Sequence, residues 1–174
     1  NRSYDNALAE LCAVLEGDGF HTVAGGAFVG RHAFTDKLAE DRPDWDDRKE
    51  LKKFATAIAD KVKNLTENPA PVTVPGDPEA PYYIPKGTDG EPAKFLKAKP
   101  RTDPAKCTNC GACARVCPMG AIDPKDVCSV PSTCIKCQAG VRKCTKHAKY
   151  FDDPAFLSHV AMLEHTFTEP KKNE

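Results

Sequence analysis

The sequence predicts an α+β chain built from two folded parts, and three observations carry that prediction. Helix-like and strand-like patterns alternate over residues 1–66. Residues 69–100 then hold eight of the fifteen prolines, which excludes a helix or an interior strand there. Eight of the nine cysteines follow, all between Cys107 and Cys144. The expected divisions are an α/β segment over 1–66, a proline-rich linker over 67–102, a cysteine-rich domain over 103–152, and a C-terminal helix and tail over 153–174.

In the first part, Leu8, Leu11, Cys12 and Leu15 fall at i, i+3, i+4 and i+7, one face of an amphipathic helix over 3–16. Ser3 or Asp5 is placed to cap its start, and Gly17 or Gly19 its end. Cys12 lies on the apolar stripe and reads as a core residue. The run 20–29 (FHTVAGGAFV) is mostly apolar and bounded by glycine, which suits a parallel strand buried on both faces. A second helix is expected over 44–65, with Leu51, Phe54, Ala55, Ile58, Val62 and Leu65 at helical spacing. Asp44, Asp46 and Asp47 crowd its first turn, where the helix dipole favours anions. Two helices and one strand cannot close a sheet. Residues 1–66 therefore read as the later part of an α/β domain whose earlier strands precede Asn1 or belong to another chain.

The linker is expected to lie extended over a surface, anchored by Val72, Val74, Tyr82, Tyr83 and Ile84. Beyond the cysteines, Asp153 followed by Pro154 is a strong helix start. Phe156, Leu157, Val160, Ala161 and Phe167 supply the apolar face that packs it back.

The cysteines carry the chemistry. Cys107, Cys110, Cys113, Cys117 and Pro118 form a C-x2-C-x2-C-x3-C-P run, the bacterial ferredoxin spacing for a [4Fe–4S] cluster. Cys134, Cys137, Gly140 and Cys144 repeat it with glycine at the third position, and Thr145 replaces the proline. In two-cluster ferredoxins the fourth cysteine of each run ligates the other cluster. That rule assigns Cys107, Cys110, Cys113 and Cys144 to one cluster, and Cys117, Cys134 and Cys137 to a second. For the second site three readings stand. Cys128 replaces the missing ligand of a [4Fe–4S] cluster, three thiolates hold a [3Fe–4S] cluster or an iron with a non-cysteine ligand, or no second cluster is held. Disulfides would have to join near neighbours, and zinc sites use two C-x2-C pairs parted by a longer loop. Val116, Ile122, Ile135 and Val141 are candidates to keep water away. Lys136, Arg142 and Lys143 are candidates to meet an acidic partner, with a solvated surface as the plainer reading.

Charge excludes some classes. Lys plus Arg and Asp plus Glu are 25 each, so net charge points to no nucleic acid. No apolar run approaches the ~20 residues that span a bilayer, so no membrane is expected. Clustered cysteines and oxygen-sensitive metal chemistry imply a reducing cytoplasmic setting.

The opening residues Asn1-Arg2-Ser3-Tyr4-Asp5-Asn6-Ala7-Leu8 resemble the N-R-x-Y-D-x-A-L segment of flavodoxin–ferredoxin fusion proteins of anaerobic bacteria and archaea. Residues 27–34 (AFVGRHAF) resemble their A-F-V-G-x-H-S-F segment, and the proline-rich connector, the cysteine runs and 151–154 (FDDP) match as well. The resemblance implies the C-terminal half of a flavodoxin-like α/β domain followed by a bacterial two-cluster ferredoxin-like domain. It further implies FMN beside Asn1, Arg2 and Tyr4. The phosphate-binding loop of that family follows its first strand and is not in this chain, so FMN is expected only with an upstream segment. Gly140 departs from the cysteine usual at its position.

The expected function is electron transfer through iron–sulfur clusters, coupled to a flavin in the full-length protein. A redox partner protein or a flavin domain is the expected partner, and an oligomer is compatible with the sequence. The alternative is a flavin-dependent reductase of a small substrate fed by the clusters. Whether the protein is an enzyme is left open, with a carrier preferred.

Overall fold

A computed structural model describes residues 3–174. The expectations for Asn1 and Arg2 lie outside the described residues. The chain divides into two compact units, residues 1–32, 36–83 and 167–174 in the first, and 33–35 with 84–166 in the second.

The first unit contains helices α1 (Ala7–Gly17) and α2 (Trp45–Lys63). Helix α1 starts later than the sequence predicts. Its N-cap is Asn6, with no side-chain cap, and Ser3 Oγ accepts from the Asp5 amide at 2.9 Å. Its one buried residue, Ala9, lies off the expected apolar stripe, where Leu8, Cys12 and Leu15 are half-buried and Leu11 is exposed. Cys12 is half-buried near Thr22 Oγ1 and the Val72 carbonyl. Helix α2 forms as expected, and its start is locked by a capping box. The Asp47 amide donates to Asp44 Oδ1 at 2.9 Å, and the Asp44 amide donates to Asp47 Oδ2 at 2.8 Å. Arg42 donates to both Asp47 carboxylate oxygens. Lys61 and Lys63 complement the dipole at the other end.

The strand expected over 20–29 does not form. A strand exists only by pairing, and this segment has little to pair with. Ala27 and Glu174 exchange backbone bonds of 2.7 and 2.9 Å, the Val29 amide donates to Asn173 Oδ1, and Thr22 is tied to Glu16. The unit thus has the two helices of the expected α/β segment without a sheet among its described residues. Phe20, Trp45, Leu51, Val62 and Tyr82 are all exposed there.

The second unit holds both buried apolar clusters. In one, Phe156 of helix α5 (Pro154–Thr166) packs with Phe34, Phe95 and Phe151 at ring-centroid distances of 5.0, 5.5 and 4.8 Å. The helix starts where the sequence predicts, with Asp153 Oδ1 accepting from the Phe156 amide at 2.9 Å. The other cluster joins Cys113, Ile122 and Val127. The expected 67–102 linker is therefore not one object. Up to Tyr83 it belongs to the first unit, and from Ile84 onward it enters the second, where Phe95 and Ala98 are core. Strand β1 (Arg101–Thr102) pairs antiparallel with β2 (Lys149–Tyr150), placing Thr102 opposite Lys149. The cysteine region runs between these two strands and also carries short helices α3 (Ala112–Arg115) and α4 (Ala139–Lys143).

Candidate metal centre

The two cysteine runs fold as repeats at a constant offset of 27 residues, from Cys107 to Cys134 and from Cys117 to Cys144. Backbone geometry repeats with them. Left-handed residues stand at Asn109 and Lys136, at Gly111 and Gln138, and at Gly120 and His147. Each left-handed turn reverses the chain so that amides face back toward sulfur. The Asn109 amide donates to Cys107 Sγ at 3.4 Å, and the Lys136 amide to Cys134 Sγ at 3.4 Å. The Ala121 amide donates to Cys117 Sγ at 3.2 Å, and the Ala148 amide to Cys144 Sγ at 3.2 Å. Glycine reaches positive φ without steric cost, whereas Gln138 and His147 do so with a side chain in place.

Two cavities result. The first is lined by Cys107, Cys110, Cys113 and Cys144, with Gly111, Val127, Ala148 and Lys149. The second is lined by Cys117, Cys134 and Cys137, with Ile122, Gln138 and Gly140. Each cavity takes one cysteine from the end of the opposite run, so the structure brings together the residues the crossover rule pairs. Among the described residues no three His, Cys, Asp or Glu side chains converge closely enough for a single metal ion. The cysteines ring cavities instead.

The thiols differ electrostatically. Cys110 is held below its ordinary value chiefly by the Ala112 amide, with Thr108 and the Arg115 charge assisting. Burial pushes Cys113 up, although the Lys149 charge pulls the other way. For Cys117, burial opposes ionisation, yet the amides of Ala121, Met119, Ile122 and Gly120 together hold it below the usual range. Cys144 behaves alike, with burial outweighed by the amides of Ala148, Lys149 and Lys146 and by the Lys149 charge. Amides aimed at sulfur, with Cys110, Cys117 and Cys144 biased toward thiolate, are the donor chemistry an iron–sulfur cluster requires.

Several expectations need correction. Cys128 is not brought to Cys117, Cys134 and Cys137. It is exposed and lines a separate depression with residues 97–102 and 152–154. Asp126 is the cause: its carboxylate accepts from the Cys128 amide and its carbonyl from the Ser129 amide, turning the loop outward. Ile135 is exposed and cannot shield a cluster, while Ile122 is buried as expected. Lys136 is buried, donating to the carbonyls of Leu96 at 2.8 Å and Cys134 at 3.1 Å, and so does not serve a docking surface. Sequence reasoning also missed Lys149. Aligning the two runs at their offset sets it against Ile122, and that mismatch was the available signal.

At Gly140 an added Cβ would meet Ile122 Cδ1 at 3.2 Å and Cys113 Cβ at 3.3 Å. No thiolate is offered from that corner of the second cavity.

In the first unit, a cavity of about 520 Å³ is lined by Tyr4, Asp5, Leu8, residues 26–30, Lys171 and Glu174. The Tyr4 hydroxyl donates to Glu174 Oε2 at 2.8 Å, which raises the phenol above its ordinary pKa. Tyr4 and Phe28 give this cavity an aromatic wall. Helix α1, whose N-terminal turn lies nearby, has no glycine-rich loop before it to cradle a phosphate. These residues alone do not fit FMN.

Compared with known families, residues 100–123 match the 4Fe-4S binding domain. None of the curated proteins or solved structures compared with the chain matches it. No helix among the described residues is long and apolar enough to cross a membrane.

Proposed function

From a chain that contains a ferredoxin-like 4Fe-4S binding domain, and hence the machinery of iron–sulfur electron transfer, we propose a carrier with two unequal cluster sites. Cys107, Cys110, Cys113 and Cys144 hold a [4Fe–4S] cluster. Cys117, Cys134 and Cys137 hold a second cluster that lacks a protein thiolate at the Gly140 corner, either [3Fe–4S] or [4Fe–4S] with a non-cysteine ligand. The observation that carries this reading is the exchange of Cys117 and Cys144 between the two cavities.

When bound, such a cluster supplies a one-electron couple. The residues do the rest. Amides of Asn109, Ala121, Lys136 and Ala148 donate to the thiolates and offset their charge. Val127 and Ile122, both buried, exclude water from the two cavities.

Coupling to a flavin is the finer part of the proposal. It calls for a flavin-bearing surface to cover the exposed apolar side chains of α1 and α2. The physiological partner is then a flavin domain or a redox protein, in a reducing cytoplasmic compartment.

Iron and acid-labile sulfide measured on anaerobically prepared protein test the proposal, together with reduction by dithionite. About seven or eight irons per chain and reversible bleaching are expected. Colourless protein carrying zinc would overturn it.

A further inference from the structure

We propose that the Lys149 side chain raises the reduction potential of the cluster held in the first cavity, and so separates the two sites in potential. This rests on the reading of that cavity as a cluster cradle. Lys149 is only 3% exposed and lines the cavity formed by Cys107, Cys110, Cys113 and Cys144. Its Nζ donates to the Val127 carbonyl, and among the described residues it has no carboxylate partner. A buried ammonium is costly unless a negative group stands nearby. The cavity it lines carries four cysteines, and four thiolates around an iron–sulfur cluster supply the negative charge that this ammonium otherwise lacks.

The second cavity shows the contrast. At the position equivalent to Lys149 it has Ile122, which is buried and uncharged. The amides of Asn109 and Ala148 in the first cavity correspond to those of Lys136 and Ala121 in the second, so the charge difference is built into corresponding positions of one repeat. Adding an electron makes a cluster more negative, and a fixed cation beside it favours that state. Burial and fixed charge are among the levers that set such potentials. Position is secured by β2, where Lys149 pairs with Thr102 across the two-stranded sheet. Thr102 Oγ1 also donates to the Val127 carbonyl at 3.3 Å, so this acceptor keeps a partner when Lys149 is changed.

The test is a mediated dithionite titration of the full chain, followed by EPR, on wild type, Lys149→Met, Lys149→Ile and Lys149→Arg. Dithionite supplies one electron per cluster. In the two neutral variants the [4Fe–4S] site should need about tenfold more reducing conditions, close to 59 mV for one electron. The second site should titrate as in wild type and serve as an internal reference, and Lys149→Arg should restore the wild-type value. An unshifted potential in both neutral variants would overturn the inference, as would an equal shift in Lys149→Arg. Loss of first-site iron from both neutral variants would overturn it too, since Lys149 would then be structural. Wild-type protein without iron would instead sink the cradle reading beneath it.

Discussion

Arg42 and Asp47 form the most buried ion pair described in the chain, with Nε and Nη2 of the guanidinium donating to the two carboxylate oxygens. Asp47 also accepts from the Asp44 amide and from Asn173 Nδ2, so one carboxylate ties the start of α2 to the C-terminal tail. The Arg42 hydrogen bonds, prevailing over burial, hold its carboxyl far below the usual carboxylate range. An ordinary aspartate titrates near pH ~3.9. The unfolded chain therefore takes up a proton before the folded one does. Stability from this site is fully present above about pH 5 and declines as the pH falls below about 4. Urea unfolding followed by Trp45 fluorescence should show that decline, with Asp47→Asn costing about 2–3 kcal/mol near neutral pH and flattening the acid dependence. Equal acid sensitivity in both proteins would contradict the assignment.

Phe156 is the hub of the aromatic cluster in the second unit, touching Phe34, Phe95 and Phe151. Phe156→Ala should destabilise that unit by about 3–5 kcal/mol, read as a lower urea midpoint for loss of visible absorbance. Leu157, which is exposed, should tolerate the same change within about 0.5 kcal/mol.

Cys128 and Cys12 are the two cysteines outside both cavities. Cys128→Ser and Cys12→Ser should each retain the full iron and sulfide content and an unchanged EPR spectrum. A loss of about half the iron in Cys128→Ser would restore Cys128 to the ligand set.

Gly140→Cys should convert the second site to a four-thiolate site. The added Cβ is tight against Ile122 Cδ1, a side-chain tip able to move, and against Cys113 Cβ, which is less free. Gly140→Ala carries the same crowding without sulfur and isolates the effect of the thiol. Iron content should rise toward about eight per chain only in Gly140→Cys, with loss of any three-iron EPR signal. Matching spectra from the two variants would remove Gly140 as the site of the missing ligand.

How much of this could be read from sequence varies by region, for physical reasons. The grouping of the cysteines around two cavities was legible because the spacing is local apart from one crossover, and Cys117 and Cys144 line the cavities to which that rule sends them. Helix α2 was legible through its acidic start, and α5 through Asp153-Pro154. The strand at 20–29 was not, since pairing is non-local and apolar composition cannot report whether a neighbour exists. The role of Phe95 was hidden by the prolines around it, which describe backbone conformation and say nothing of burial. The placement of Cys128 was not legible because proximity in sequence does not fix which way a loop turns, and here Asp126 turns it outward.

The most direct test of the interlocked sites is the iron content and EPR of anaerobically prepared Cys144→Ala beside Cys117→Ala. Cys144 closes the second run yet serves the first cavity, so Cys144→Ala should lose the signal of the four-thiolate [4Fe–4S] cluster and keep that of the second site. Cys117→Ala should do the reverse. If Cys144→Ala instead spared the four-thiolate cluster and disturbed only the second site, each run would hold its own metal and the exchange of ligands would be refuted.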